Sequence, residues 1–153
     1  MVEILSIRNE KIGTAESFTG GNIASHITSV SGASKVFFGG VVAYSNDAKI
    51  SKLKVSEKTL KNYNAVSKEV AYEMCKGVLI DCDLAVATTG IAGPNSDDSN
   101  YPVGLSYIAV GSFKKIEVRK FTFKGNREQI TLLGTKTALF LAIKALIDCS
   151  FDV

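Results

Sequence analysis

Tryptophan is absent from this chain of 153 residues, which also holds only three cysteines, two prolines and one histidine. The cysteines, Cys75, Cys82 and Cys149, show no CxxC spacing, so we interpret them as small apolar residues. Cys75 and Cys82 fall on one face of a predicted helix. A single histidine without ligand-spaced cysteines argues against a zinc site. These residue types predict no metal centre.

The standard nucleotide-binding signatures are also missing. The chain contains neither GxGxxG nor GxxxxGK[ST], which excludes the usual dinucleotide and P-loop sites. Ser51 and Lys54 match the SxxK pattern of penicillin-recognising enzymes. However, Tyr-Ser-Asn precedes that pattern and no Lys-Thr-Gly follows it, so we interpret the match as chance.

Long apolar runs and strong charge are lacking as well. No window reaches the ~18 apolar residues of a membrane span, and the N-terminal residues do not form a signal peptide. The net charge is +3, and the lysine-rich stretch 49–61 is interrupted by Glu57. A solvated helix face explains this stretch better than a nucleic-acid track. We therefore expect a cytoplasmic protein that binds neither membrane nor nucleic acid.

The composition, 46% hydrophobic and 22% charged, is typical of a globular domain. Apolar patterns predict one compact layered α/β domain over residues 1–153, with a mixed central sheet flanked by helices. The predicted strands are 11–15, 36–44, 84–88, 103–110 and 116–123. The predicted helices follow Gly21, Ser45, Val55 and Ser67, and a last one spans 126–148.

The predicted helix 126–148 is apolar on nearly all sides. Its eight large apolar residues in the later turns are too many to share one ~100° stripe: Leu132, Leu133, Leu139, Phe140, Leu141, Ile143, Leu146 and Ile147. The surplus face predicts a homodimer or a higher homo-oligomer. A central position between the sheet and other helices of one subunit is the alternative.

Ser17 stands between a predicted strand and a predicted helix. A serine on such a turn projects its hydroxyl outward. Gly20 and Gly21 then bare backbone N–H groups at a helix N-terminus, which suit a phosphate or an oxyanion. Helix capping by Ser17 and Thr19 is the alternative interpretation. His26 stands nine residues later, roughly 10 Å or more along a helix, and is not expected to act as the base.

Two further segments hold polar residues at predicted strand ends. A strand ending at Tyr44 is followed by Lys49, and a desolvated lysine or a tyrosine can accept the proton of a serine. The segment 89–94 ends a buried strand, and ligands of α/β sheets collect outside the carboxyl ends of strands. Taken singly, each segment is also compatible with a structural turn.

In this order and at these spacings, the segments resemble the CinA C-terminal domain family, the nicotinamide-nucleotide amidases. The resemblance covers nearly the whole chain from Gly13 onward. The matching stretches are TAESFTGG (14–21), VVAYSNDAK (41–49), NAVSKEVA (64–71), TGIAGP (89–94), PVG (102–104) and GNRE (125–128).

Enzymes of this family hydrolyse the carboxamide of nicotinamide mononucleotide to nicotinate mononucleotide and ammonia. The resemblance implies a nucleophile at Ser17, with Tyr44 and Lys49 activating it and relaying protons. It also implies a small nucleotide as substrate, with no metal and no organic cofactor. The substrate-binding positions implied are Thr19, Gly20, Gly21, Asn46, Thr89, Gly90 and, for the anionic part, Arg127.

The chain departs from the family pattern in three places. Phe18 replaces the usual cysteine after the serine, Gly39 and Gly40 replace a common arginine, and loop 95–101 is poor in glycine. The implied catalytic positions stay intact, so these changes bear on substrate affinity. A catalytically weak module that binds a nucleotide or phosphorylated ligand and acts through a partner is the alternative function.

Overall fold

The computed structural model describes residues 1–96 and 101–148. Within these ranges six α-helices, a 3-10 helix (Ala33–Lys35) and five strands follow one another. The strands are β1 (Ile12–Glu16), β2 (Phe37–Val42), β3 (Leu84–Gly90), β4 (Leu105–Ser112) and β5 (Lys115–Thr122). The helices are α1 (Val2–Arg8), α2 (Asn22–Thr28), α3 (Asn46–Leu53), α4 (Glu57–Tyr63), α5 (Lys68–Leu79) and α6 (Arg127–Asp148).

The five strands form one mixed sheet in the order β2-β1-β3-β4-β5. Strand β1 pairs in parallel with β2 and β3. The β3–β4 and β4–β5 pairs are antiparallel. The predicted α/β class with a mixed sheet flanked by helices is thereby confirmed.

Helices cover both faces of the sheet, because successive side chains of a strand point to opposite faces. On one face, Ile12, Val86 and Ile108 pack with residues of α1, α2 and α6. On the other face, Ala15 and Ala87 pack with residues of α3 and α5. Strand β1 is buried at all five of its positions, so the chain leaves the sheet after Glu16 from the centre of the domain.

The carboxyl ends of the three parallel strands meet at one edge of the sheet. Glu16, the last residue of β1, is in register with Thr88 of β3 and with Val42 of β2. The segments that follow these strands therefore lie side by side, as expected for ligand sites of α/β sheets.

Helix α5 shows one prediction confirmed and one that is wrong. Ser67 caps it as predicted, since its Oγ accepts from the Val70 N–H at 3.2 Å. The helix ends at Leu79 because the chain turns there toward β3, so Cys82 does not share a helix face with Cys75. Both thiols are buried and free, and Cys149 lies outside the described residues.

Helix α1 was not anticipated. Its seven residues bury Val2 and Leu5 against the core shared with α2 and α6. A helix this short owes its stability to tertiary packing rather than to intrinsic propensity. The sequence pattern is correspondingly brief, with only two buried positions.

Helix α6 is more apolar than expected. It is the single helix among the described residues that is long and apolar enough to cross a membrane by length and composition, with a mean hydropathy of 1.7. The expectation that no window of the chain is long and apolar enough for a membrane span was therefore wrong for α6. Ala138, Leu141 and Leu146 are buried in the core, whereas Leu132 and Phe140 are 42% and 64% exposed. Helix α6 thus packs one side against the core and leaves Leu132 and Phe140 on its outer side.

Candidate active site

A cavity of about 270 Å³ opens at the edge where the parallel strands end. Seven of the ten residues predicted for the site contribute to its lining: Ser17, Tyr44, Asn46, Lys49, Thr89, Gly90 and Arg127. The lining also includes Phe18, Ala65, Val66, Ile91, Ala92, Gly93, Asn95 and Ser96. Of the divergent loop 95–101, residues 97–100 lie outside the described part of the chain.

Ser17 is held in place by backbone hydrogen bonds on both sides. Its N–H donates to the Thr88 carbonyl at 3.0 Å, and its carbonyl accepts from the Gly20 N–H at 3.0 Å. Gly20 and Gly21 have φ values of 61° and 95°, a region that favours glycine. The tight turn after β1 therefore requires these glycines. Only 8% of Ser17 is exposed, at the floor of the cavity.

Lys49 comes from α3, whose N-terminus is capped by Ser45 through a bond from the Ala48 N–H at 3.1 Å. The Lys49 Nζ donates to Ser17 Oγ at 3.2 Å and to the Ala43 carbonyl at 3.0 Å. Lys49 is only 2% exposed. Burial lowers the pKa of this amine from 10.5 to about 8, because water no longer stabilises its charged form.

The Ser17–Lys49 pair is suited to nucleophilic catalysis without histidine. At neutral pH a lysine with this pKa is neutral about a tenth of the time, and its lone pair can then accept the serine proton. His26 plays no part, since it is exposed on α2 and its Nδ1 contacts the Asn22 carbonyl at 2.7 Å. The geometry fits acyl transfer by a serine with a lysine base.

Tyr44 and Arg127 form the mouth of the cavity. Arg127, the first residue of α6, donates to the Tyr44 hydroxyl and to the Gly93 carbonyl. Tyr44 is 59% exposed, and among the described residues its hydroxyl is bonded to Arg127 rather than to Ser17 or Lys49. The guanidinium thus ties the segment after β2 to the loop after β3 and places a positive charge at the entrance.

Thr89 and Gly90 form the wall at the end of β3. Thr89 is almost fully buried, and its hydroxyl donates to the Ala65 carbonyl at 2.7 Å. A Cβ at Gly90 would lie 2.5 Å from Ser106 Oγ and 2.9 Å from Phe18 Cδ1. Position 90 therefore has no room for a side chain.

Glu16 is the residue that the sequence analysis missed. Its fully buried carboxylate accepts from the N–H groups of Gly21 at 3.0 Å, Ile23 at 3.0 Å and Ala24 at 2.8 Å. These are the free donors of the α2 N-terminus, where a negative charge is stabilised by the helix dipole. An acidic residue just upstream of a glycine-rich helix start is the signal that could have revealed it.

The carboxylate of Glu16 changes the role expected for the next turn. Thr19, Gly20 and Gly21 were predicted to bind substrate, but they are not part of the described cavity lining. The chain's own carboxylate takes the Gly21 N–H, and the Thr19 hydroxyl is bonded to Thr88 Oγ1 at 2.8 Å. The α2 N-terminus is therefore not an open anion site.

Comparison with known sequences identifies relatives along nearly the whole chain. The model of the CinA C-terminal domain family matches residues 1–146. A competence-damage inducible protein of Caldicellulosiruptor saccharolyticus is 45% identical over 150 residues, which are 97% of this chain and 36% of that relative. A CinA-like protein of Syntrophomonas wolfei is 47% identical over 139 residues, 90% of this chain and 33% of the relative. The chain thus spans about a third of the length of these curated relatives.

Solved structures share the fold closely. Competence damage-inducible protein A (ComA) of Klebsiella pneumoniae superposes with a TM-score of 0.92 at 31% identity, covering 95% of this chain and 91% of that one. The competence/damage inducible protein CihA of Agrobacterium tumefaciens gives 0.90 at 35% identity, covering 94% and 90%. Sequence and structure agree, and the chain belongs to the CinA C-terminal domain family.

Proposed function

We propose that this chain hydrolyses the carboxamide of nicotinamide mononucleotide, giving nicotinate mononucleotide and ammonia, with Ser17 as the nucleophile. The observation that carries the proposal is the buried contact of 3.2 Å between Lys49 Nζ and Ser17 Oγ. Membership of the CinA family supports it. The proposed place of action is the cytoplasm, within pyridine-nucleotide recycling.

In the first step Ser17 Oγ attacks the carboxamide carbon while its proton passes to the neutral amine of Lys49. The pyridinium nitrogen of the substrate withdraws electrons and makes this carbon unusually electrophilic for an amide. The backbone N–H groups of Phe18 and Thr19 have no acceptor among the described residues. They are the proposed donors for the oxyanion that develops beside Ser17.

In the second step the tetrahedral intermediate collapses. The Lys49 ammonium returns the proton to the departing nitrogen, ammonia leaves, and the nicotinoyl group remains as an ester on Ser17. Lys49, neutral again, then takes a proton from water, whose oxygen attacks the ester. Collapse restores the Ser17 hydroxyl and releases nicotinate mononucleotide.

Arg127 is the proposed partner of the substrate phosphate. Its guanidinium stands at the mouth of the cavity and can receive an anion bidentately. Binding there would compete with the Tyr44 hydroxyl for the same donors. Tyr44 would then be released to turn inward and relay protons, the role that the family resemblance implies.

Purified protein should release ammonia from nicotinamide mononucleotide in stoichiometric amounts with nicotinate mononucleotide, followed by coupled assay and chromatography. Ser17→Ala is the matched control and should release none while binding the ligand within about tenfold of the native affinity. Full activity in that variant would refute the nucleophile. Binding without turnover in the native chain would instead support a ligand-binding module that acts through a partner.

A further inference from the structure

Phe18 directly follows Ser17, and its ring lies in the interior. It is 4% exposed and forms a small apolar cluster with Ala92 and Ile130. The ring thereby connects three parts of the site: the turn after β1, the loop after β3 and the helix α6.

Two glycines leave the space that this ring fills. A Cβ at Gly134, in the interior of α6, would lie 2.4 Å from Phe18 Cζ and 2.5 Å from Cε2. A Cβ at Gly90 would lie 2.9 Å from Cδ1 on another side of the ring. Glycine inside a helix is destabilising relative to alanine, so α6 tolerates a cost at the point where the ring needs room. We call the space between Gly90 and Gly134 the glycine slot.

We propose that Phe18, seated in the glycine slot, is the positioning residue of the nucleophile Ser17. Phe18 and Ser17 are adjacent, so a displaced ring shifts the backbone that carries the Ser17 hydroxyl. The Phe18 carbonyl also accepts from Thr131 Oγ1 at 3.5 Å, a second contact between this turn and α6. A misplacement of about 1 Å in an active site can cost ~100-fold in rate, so the contact between Ser17 and Lys49 depends on this seat. The inference rests on the proposed function for its activity measurement only.

The first test needs no substrate. In a Ser17→Cys background the new thiol lies beside the Lys49 amine, which favours the reactive thiolate. Its alkylation by iodoacetamide is followed by peptide mass spectrometry, which separates it from the native cysteines. Adding Gly134→Ala should slow alkylation at least ~5-fold, because the new Cβ displaces the ring. Adding Phe18→Leu as well, which removes the overlapping ring atoms, should restore the rate to within ~2-fold.

The second test is hydrolysis with Ser17 intact. Gly134→Ala should lower kcat at least ~10-fold with KM within ~3-fold, and Phe18→Leu should rescue it. Gly13→Ala is the matched control, because its Cβ would lie 2.4 Å from Val78 Cγ1, an equal overlap on the opposite face of the sheet. Gly13→Ala should lose thermal stability but keep kcat and alkylation within ~2-fold.

A folded Gly134→Ala variant with unchanged alkylation and kcat would overturn the inference. Failure of Phe18→Leu to restore the alkylation rate and kcat of the Gly134→Ala variant would overturn it as well. If Gly134→Ala does not fold, Phe18→Leu alone decides. The void it leaves beside the turn should slow alkylation at least ~3-fold, and an unchanged rate refutes the positioning role. Absence of ammonia release from the native chain would refute the proposed function, while the alkylation test would still judge Phe18.

Discussion

Lys49 reaches Ser17 across the edge of the sheet, with 3.2 Å between Nζ and Oγ. Its other hydrogen bond goes to the Ala43 carbonyl at 3.0 Å, so two neutral oxygens receive its protons. No carboxylate within the described residues pairs with this amine. Burial therefore lowers the pKa of Lys49 to about 8 with no nearby negative charge to raise it again, and an amine with this pKa can act as a base near neutral pH.

Replacing this lysine should separate activity from stability. Lys49→Met should lower kcat at least ~100-fold, since no base remains for Ser17. The same variant should keep or raise the melting temperature, because it removes the cost of burying an unpaired charge. Initial rates and thermal denaturation test the two parts. Lys52→Met on the exposed side of the same helix is the control and should change neither.

The pH dependence should follow the lowered pKa of Lys49. Below about pH 8 the amine is mostly protonated, so kcat/KM should rise with pH, reach half of its maximum near pH 8 and level off above it. The unfolded chain binds more protons than the folded one between about pH 8 and 10.5, so this residue makes stability increase with pH in that window. Chemical denaturation of native protein and Lys49→Met at several pH values tests it. Parallel pH profiles of the two proteins would contradict the assignment.

Arg127 should discriminate substrates by their phosphate. Arg127→Ala should raise KM for nicotinamide mononucleotide at least ~10-fold, because a charged hydrogen-bond donor is lost. The unphosphorylated nucleoside, nicotinamide riboside, should be affected less than ~2-fold in kcat/KM. Equal losses for both compounds would place the phosphate elsewhere.

Tyr44→Phe, which keeps the ring and removes the hydroxyl, should lower kcat ~100-fold if the phenol relays protons.

Glu16 should matter to stability more than its position beside Ser17 suggests. Glu16→Gln removes the charge that the helix dipole favours, and its NH2 group replaces one of the two accepting oxygens, so at least one of the three hydrogen bonds at the N-terminus of α2 is lost. The expected loss is about 2 kcal/mol in the free energy of unfolding. Urea denaturation measures it. Glu57→Gln, in the exposed first turn of α4, is the matched control and should cost less than about 0.5 kcal/mol.

We propose that two copies of the chain associate through α6. Leu133, Phe140 and Ile147 recur every seven residues on its outer side, each more than 40% exposed. Such a stripe can bury itself against a symmetry-related copy of the same surface. Sedimentation should give twice the chain mass of 16.3 kDa, and Phe140→Glu should give a monomer. A native monomer at micromolar concentration would refute this.

The sheet was accessible from the sequence because strands depend on local patterns, whereas the pairing of Ser17 with Lys49 was implied by the family resemblance. Apolar periodicity marked the strands, and the segments around Ser17 and Lys49 follow strand ends that a parallel sheet brings together. The carboxylate cap follows from no apolar periodicity, and its one local signal is the acidic residue just before a glycine-rich helix start. Glu16 meets Ala24, eight residues away, only because two left-handed glycines fold the turn back on itself. No periodicity records such a contact.

Two further differences between the sequence prediction and the structure, the missed helix α1 and the predicted continuation of α5 to Cys82, come from segments too short to show a clear periodicity. Seven residues give only two buried positions in α1, too few to separate a helix from a loop. Cys82 continued the apolar spacing of α5 beyond its real end. The Cys82 thiol donates to the Val78 carbonyl of α5 at 3.3 Å and to the Leu84 carbonyl of β3 at 3.1 Å, so the residue stays next to the helix end without being helical.

The hydrogen bond from the Ser17 N–H to the Thr88 carbonyl bears on when the proposed active site forms. β1 ends at Glu16 and β3 begins at Leu84, so almost half of the chain lies between the two strands. Closing so long a loop is a slow event in folding. Until that closure the serine has neither its fixed turn nor its wall. A nascent or partly unfolded chain therefore carries Ser17 without the surroundings that the proposed reaction needs. Reactivity of Ser17 would report directly on the completion of the sheet.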